Sequence, residues 1–250
     1  MHRLKSLFLT KLLAIQVGFS HVHLSIVRRT TRMKPFFTPA QRKLQSEFGT
    51  EALADRIHAA SVSQTISESQ VAFVHNRDFF FLSTIDELGF PSCSYKGGAP
   101  GFVRVVNDTT LVFPNYDGNG MFMSLGNIES KTKVGLLFVD FETPNRLRLR
   151  GEAQCLRQGS LLESYPGANV VVQLTIDHVW VNCPRYVHQM TPVSSSPYLP
   201  NQYGQSALAL WKRIDLVQDV LTPEEQAQAV ELGLLSIEDY DAMVARGELI

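Results

Sequence analysis

The chain contains 250 residues, 44% of them hydrophobic and 19% charged, which suffices for one sizeable domain with appendages or for two small domains. No stretch approaches the roughly 18 consecutive apolar residues of a membrane-spanning helix, so the sequence predicts no membrane span. Cys93, Cys155 and Cys183 form no CxxC pair and lack histidines at metal-ligand spacing. We therefore expect neither a disulfide framework nor a zinc site. We expect the three cysteines to be reduced thiols of an intracellular protein.

The net charge of −1 conceals an uneven distribution of basic and acidic residues. Residues 1–34 hold seven of the 23 Lys and Arg residues and no acid, so the rest of the chain is acidic. Because binding to a phosphate backbone needs clustered positive charge, the acidic body argues against nucleic acid as a partner.

Residues 1–33 form a basic leader that we do not expect to belong to the fold. Leu7–Phe19 is apolar but interrupted by Lys11, and no clean small-x-small cleavage site follows it. An organelle transit peptide has a similar basic, acid-free composition, whereas a start of the working protein at Met33 is the simpler interpretation. We therefore expect a cytoplasmic protein, with organelle targeting as the alternative.

Capping signals predict helices near both ends of the folded region. Thr38-Pro39-Ala40-Gln41 combines an N-cap hydroxyl, a proline at the first helical position and a glutamine that closes a capping box. Ser67-Glu68-Ser69-Gln70 repeats the box and predicts a second helix. Near the end of the chain, Thr222-Pro223-Glu224-Glu225 and Ser236-Ile237-Glu238-Asp239 predict two short tail helices.

Between these helices the pattern predicts short β-strands joined by tight turns. In Asn145–Leu156, apolar and charged residues alternate, which is typical of a strand with one buried face. A single helix-length segment, Gly120–Glu129, interrupts the series. The other expected strands are Phe79–Thr84, Pro91–Lys96, Phe102–Val106, Thr110–Phe113, Lys133–Phe141 and Asn169–Val181. Seven closely spaced strands favour an antiparallel barrel or sandwich over a parallel Rossmann sheet.

The resulting domain organisation has four parts. A folded domain follows the leader, and a Pro- and Ser-rich connector separates this domain from the helical tail. The expected bounds are 1–33 for the leader, 34–189 for the domain, 190–206 for the connector and 207–250 for the tail.

Two glycine-rich segments could bind an anion. Ser94–Arg104 places three glycines of a loop between two strands, with Lys96 and Arg104 as flanking cations. Asn115–Gly120 leads into the expected helix, whose first N–H groups and positive dipole end suit a phosphate. Each segment alone is also compatible with an ordinary turn, but their order and spacing strengthen the functional interpretation.

These segments resemble the pyridoxamine 5′-phosphate oxidase-like family of FMN-binding split barrels. The resemblance covers about residues 79–188 and is carried by Phe80–Thr84, Gly89-x-Pro91, Ser94–Gly98, Pro100–Val105, Phe113–Gly120, Val134–Phe138 and Arg146–Gly151. It implies a mainly β (α+β) fold, an antiparallel split β-barrel of Greek-key type with flanking helices. It also implies a homodimer with FMN bound at the subunit interface.

Departures from the family pattern indicate a subgroup outside the true pyridoxamine phosphate oxidases. Those enzymes carry a Ser-Arg-Lys triplet that holds the FMN phosphate, whereas this sequence has Gly118-Asn119-Gly120 at the matching positions. The ending Asn182–Tyr186 is also typical of that subgroup. The resemblance gives these cofactor-binding candidates: Lys96, Gly97, Gly98, Arg104, Val105, Asn115, Tyr116, Gly118, Asn119, Gly120, Ser124, Arg146, Arg148 and Arg185.

The sequence therefore predicts an FMN-dependent oxidoreductase acting on an unidentified small-molecule substrate. The protein would supply orientation and electrostatics, so no dedicated catalytic acid or base is expected. His178 and His188 lack a third ligand, and no metal site is expected. The alternatives are a non-catalytic flavin- or haem-binding module and a related barrel that holds deazaflavin.

Overall fold

The structure is a computed structural model that describes residues 35–248. The predicted leader, residues 1–33, lies outside the described residues. The chain divides between Thr50 and Glu51 into two compact units.

The first unit contains helix α1 (Pro39–Glu47), and both bonds of its predicted capping box are present. The Gln41 amide N–H donates to Thr38 Oγ1 at 3.3 Å, and Gln41 Oε1 accepts from the Thr38 amide at 2.8 Å. These bonds satisfy two amide donors that a helix start leaves without intrahelical partners. The helix start predicted from the sequence is confirmed.

The second unit contains eight strands, which form one antiparallel sheet. Their bounds are β1 (Val62–Ser63), β2 (Phe79–Ile85), β3 (Pro91–Gly97), β4 (Arg104–Asn107), β5 (Thr110–Asn115), β6 (Lys133–Asp140), β7 (Asn145–Leu156) and β8 (Val170–Asn182). Seven of them were predicted from the sequence to within about two residues, and β1 was not. A strand of two residues is too short to show a period of two.

Helices flank the sheet and form the tail. The helices of this unit are α2 (Glu51–Ser61), α3 (Glu68–His75), α4 (Met123–Ser130), α5 (Ser160–Glu163), α6 (Pro223–Leu232) and α7 (Ile237–Ala245). The predictions of α3, α4, α6 and α7 are confirmed, whereas α2, α5 and two short 3-10 helices, Leu210–Arg213 and Asp215–Val220, were not predicted. No helix among residues 35–248 is both long enough and apolar enough to cross a membrane.

The strand order requires the sheet to curl. The order is β3-β2-β6-β7-β8-β5-β4, with β1 paired to β8, so β3 and β4 lie at opposite ends. A flat sheet would hold these end strands about 29 Å apart, at about 4.8 Å per neighbouring pair. Yet only residues 98–103 join them, and such a loop spans at most about 25 Å when fully extended. The sheet therefore bends into a barrel that stays unpaired between β3 and β4, which is a split barrel.

The core fills the inside of this barrel. Phe80 on β2 is fully buried, and its ring centroid lies 4.9 Å from that of Phe113 and 5.1 Å from that of Phe138. On β7, Leu147 and Leu149 are buried, as the alternation in the sequence predicts. Burial of these large side chains stabilises the barrel by the hydrophobic effect, which fixes the strand ends that form the site.

Candidate functional site

A cleft of about 430 Å³ opens at one end of the barrel. Its size lies within the range of small-molecule sites. The end of β3, the loop that follows β5 and the first turn of α4 form most of its wall. The lining residues are Ser94, Tyr95, Lys96, Gly97, Pro114, Asn115, Tyr116, Asp117, Gly118, Asn119, Gly120, Met121, Phe122, Met123, Ser124, Leu125 and Asn169.

Two asparagines shape the loop that forms the cleft floor. The Asn115 side-chain amide donates to Asn169 Oδ1 at 2.9 Å and to the Tyr116 carbonyl at 3.1 Å. The Asn119 carboxamide oxygen accepts from the Met121 amide at 3.1 Å, which is an Asx turn. Both side chains therefore bond to the chain itself and hold the loop in place.

Helix α4 begins inside the cleft. Phe122 precedes it in a left-handed conformation, with φ at 48°, and offers no side-chain cap to the first turn. The amides of Met123, Ser124 and Leu125 therefore begin the helix at the cleft wall without a capping side chain. Such a helix end carries a partial positive charge that favours an anion.

Two serine hydroxyls meet beside this helix start. Ser124 is only 6% exposed, and its Oγ lies 2.8 Å from Ser94 Oγ on β3. Each hydroxyl can donate and accept, so the pair can turn a donor toward a bound anion.

Lys96 brings the positive charge of the cleft. It lies opposite the buried Phe80 in the β2–β3 register, which places its side chain on the barrel side of β3. Among residues 35–248, no side chain or carbonyl forms an ion pair or hydrogen bond with the Lys96 ammonium. Burial lowers the pKa of Lys96 below that of a free lysine, because desolvation disfavours the charged form. A half-buried ammonium of this kind gains from an anionic ligand.

Asp117 is the acidic residue of the lining, and Lys212 of the tail pairs with it. The distance from Lys212 Nζ to Asp117 Oδ2 is 2.6 Å. Lys96 is therefore the charged lining residue without an ion-pair partner among the described residues.

Two tyrosines of the lining remain protonated at neutral pH. Burial raises the pKa of Tyr116, although the charge of Arg104 partly opposes this shift. Burial also raises the pKa of Tyr95, and the negative charge of Asp78 adds to the increase. Both phenols can therefore donate hydrogen bonds at neutral pH.

The structure brings a subset of the predicted site residues together in this cleft. They come from β3, the loop after β5 and the start of α4. The members of this subset are Lys96, Gly97, Asn115, Tyr116, Gly118, Asn119, Gly120 and Ser124.

The remaining candidates lie outside the cleft lining, and for two of them the reason is a packing contact. A Cβ on Gly98 would lie 2.3 Å from Cγ of Phe102, so this glycine serves the approach of a core ring. Val105 on β4 packs against the core.

The four arginine candidates also lie outside the lining. The Arg104 guanidinium donates to Ser164 Oγ and to the Ser164 carbonyl, both at 2.8 Å. Arg146 donates to the Cys183 carbonyl at 2.8 and 3.1 Å. Arg148 and Arg185 are exposed to solvent.

Several lining residues were not predicted. Tyr95 is 63% exposed and alternates with the predicted Lys96, so the strand pattern alone would assign it to the outer face. The pairing of Asp117 with Lys212 joins residues 95 positions apart, and no local pattern reveals it. Among the described residues, no three His, Cys, Asp or Glu side chains lie together as a metal site would require.

Comparisons with known proteins agree with the motifs. Residues 66–185 match the family described as pyridoxamine 5′-phosphate oxidase. No curated protein matches the chain significantly.

Solved structures also match this region at low sequence identity. A putative pyridoxamine 5′-phosphate oxidase from Lactobacillus delbrueckii is 22% identical, with 47% of this chain and 95% of that chain covered and a TM-score of 0.39. An FMN-binding protein from Syntrophomonas wolfei is 13% identical, with 56% of this chain and 97% of that chain covered and a TM-score of 0.33. HutZ, named a haem storage protein of Vibrio cholerae, is 17% identical, with 44% of this chain and 88% of that chain covered and a TM-score of 0.33.

The family match extends from just before α3 to just after β8 and includes strands β2 to β8 and the whole cleft lining. Residues 66–185, just under half of this chain, match the pyridoxamine 5′-phosphate oxidase family, and their antiparallel sheet forms a split barrel.

Proposed function

We propose that this protein binds FMN in the cleft and acts as a flavin-dependent oxidoreductase on a small molecule. The observation that carries the proposal is Lys96, whose half-buried ammonium faces the cleft without an ion-pair partner among residues 35–248. The uncapped start of α4 lines the same cleft, and both features favour a phosphate group.

The residues present fit the two parts of FMN. Lys96, the hydroxyls of Ser94 and Ser124 and the first amides of α4 would hold the phosphate. The larger apolar and aromatic side chains of the lining would contact the flavin ring: Tyr95, Tyr116, Met121, Phe122 and Met123. When bound, FMN supplies the redox chemistry, and the protein contributes binding, orientation and electrostatics.

The same residues argue against pyridoxamine phosphate as the substrate. Gly118-Asn119-Gly120 brings no cation to the cleft where the resemblance would require two. Asp117 beside it adds a carboxylate. A second phosphate-bearing molecule would therefore meet little positive charge beyond Lys96.

We further propose that two copies form the working unit, with the cofactor at their interface. The proposal is supported by an outer aromatic face consisting of Phe79, Phe81, Tyr95 and Phe141. The Phe79 ring stacks on Tyr95 at 5.3 Å and on Phe141 at 5.9 Å, and Tyr95 is 63% exposed. Because Tyr95 also lines the cleft, a partner that covers this face would reach the site. Light scattering should then give about twice the 28.0 kDa chain mass.

The test is the absorbance spectrum of purified protein, followed by titration of the apoprotein with FMN. Flavin bands and saturable quenching of FMN fluorescence are expected, and Lys96→Met should weaken FMN binding at least about tenfold. The matched control is Lys133→Met, which removes an exposed ion pair with Glu152 outside the cleft and should leave affinity unchanged.

Other spectra would contradict parts of the proposal. A Soret band without flavin bands would favour the haem-binding alternative. A protein that binds FMN tightly but is not reduced by NADH or NADPH without oxygen would favour a carrier over an oxidoreductase. Colourless protein that ignores added FMN would refute flavin binding.

A further inference from the structure

Lys212 connects the C-terminal segment to the cleft. It belongs to the 3-10 helix Leu210–Arg213, and the residue is only 5% exposed. Its ammonium lies 2.6 Å from Asp117 Oδ2 and 2.5 Å from Glu225 Oε1. The Asp117 side chain is 73% exposed and lines the cleft, whereas Glu225 belongs to α6. One buried cation therefore joins the cleft loop to two elements of the tail.

The ammonium of Lys212 is charged at neutral pH. Burial opposes this charge, but the hydrogen bonds to Asp117 and Glu225 outweigh it and raise the pKa of Lys212. Glu225 is itself held in place, because its Oε2 accepts from the Thr222 amide at 3.0 Å in the capping box of α6. The cation is thus fixed from the tail side and bonds directly to the acid of the cleft.

The charge of Asp117 matters because the same cleft contains Lys96 and the start of α4. An unscreened carboxylate there would repel the anion that these groups attract. Asp117, Lys212 and Glu225 together carry a net charge of −1. Loss of the Lys212 ammonium would change this local charge to −2 at the wall of the cleft.

We infer that Lys212 is a positioning residue of the ligand site: it acts through Asp117, whose negative charge it screens, so that a phosphate-bearing ligand can bind. The inference rests on the proposed function in one respect, the choice of FMN as the ligand. The inference also gives residues 210–232 a role in ligand binding. Of Asp117, Lys212 and Glu225, only Asp117 lines the cleft itself.

The test measures FMN affinity in four proteins that differ in the local charge of this cluster. Lys212→Met gives −2 and should weaken FMN binding at least about tenfold. Asp117→Asn gives 0 and should tighten binding. The double variant returns to −1 and should regain an affinity close to that of the unmodified protein. Lys133→Met again serves as the matched control, since it removes an exposed lysine outside the cleft.

Riboflavin provides a readout that a merely structural role would not reproduce. It carries the same ring without the phosphate, so Lys212→Met should affect its binding much less than that of FMN. Equal losses for the two ligands would overturn the inference, and so would a double variant no better than Lys212→Met. If Lys212→Met fails to fold, Asp117→Asn decides, because weaker FMN binding in that variant contradicts screening.

A measurement without flavin separates this inference from the proposed function. If the unmodified protein ignores FMN, the proposed function fails, but the affinity of the cleft for inorganic phosphate can still be measured by titration calorimetry. Phosphate should then bind more weakly to Lys212→Met and more tightly to Asp117→Asn than to Lys133→Met. Equal phosphate affinities in the three variants would refute the screening role.

Discussion

The glycine at position 98 provides a sharp test of the barrel's packing. Gly98 is buried at the start of the loop that joins β3 to β4, and its amide donates to the Asp78 carbonyl at 2.8 Å. A Cβ at this position would lie 2.3 Å from Cγ and 2.6 Å from Cβ of Phe102, which is itself only 5% exposed. Gly98→Ala therefore forces the Phe102 ring to move within a filled core.

The expected cost follows from this overlap. Overpacking of a filled core costs about 1–3 kcal/mol. For a domain of this size, each kcal/mol lowers the melting temperature by about 2–4 °C. We therefore expect Gly98→Ala to melt about 2–12 °C lower, as measured by circular dichroism during heating. Gly118→Ala is the matched control, because no atom lies within 4 Å of its Cβ position.

A second variant identifies the cause of the loss. Phe102→Ala removes Cγ and Cδ2, which lie 2.3 and 2.5 Å from the added Cβ, so it should destabilise the unmodified protein but cost much less in the Gly98→Ala background. Additive losses would show that the overlap with Phe102 is not the cause. Equal melting temperatures for Gly98→Ala and Gly118→Ala would refute the packing argument altogether.

Two further predictions concern titratable groups. Because burial lowers the pKa of Lys96, FMN affinity should fall as the pH rises through this depressed pKa, and Lys96→Met should abolish that dependence. Fluorescence titrations at several pH values measure it, and a pH-independent affinity contradicts a role for the ammonium. Burial, together with a hydrogen bond and the charge of Glu129, raises the pKa of Cys155 to about 12, so its thiol should react with iodoacetamide far more slowly than that of exposed Cys93. Peptide mass spectrometry after labelling at mildly alkaline pH measures the labelling of both cysteines. Equal labelling of Cys155 and Cys93 would contradict the raised pKa of Cys155.

The strands could be predicted because their sequences carry a clear period. In β7, buried Leu147 and Leu149 alternate with Arg148, and the predicted bounds Asn145–Leu156 match the strand in the structure. Helix α2 was missed because the predicted helices were located by capping boxes. The residue three positions after Thr50 is Leu53 rather than Glu or Gln, so this signal is absent.

Part of the site could be predicted for a similar reason. Asparagines and glycines near a helix start are a local signal, and Asn119 and Gly120 do line the cleft. No local signal shows that Arg104 and Arg146 lie outside the cleft, because their hydrogen-bond partners are distant in sequence. Arg104 bonds to Ser164, 60 positions away, and nothing local distinguishes that bond from a free guanidinium. The same distance hides the role of Lys212.

The left-handed Phe122 has a consequence for the evolution of the cleft. This conformation costs a residue with a Cβ about 1–2 kcal/mol, whereas glycine adopts it freely. Phe122 is 52% exposed, so burial of its ring in the core offsets little of this cost. Selection for heat resistance alone would favour glycine here, and only a benefit that depends on the ring itself can retain phenylalanine at the entrance.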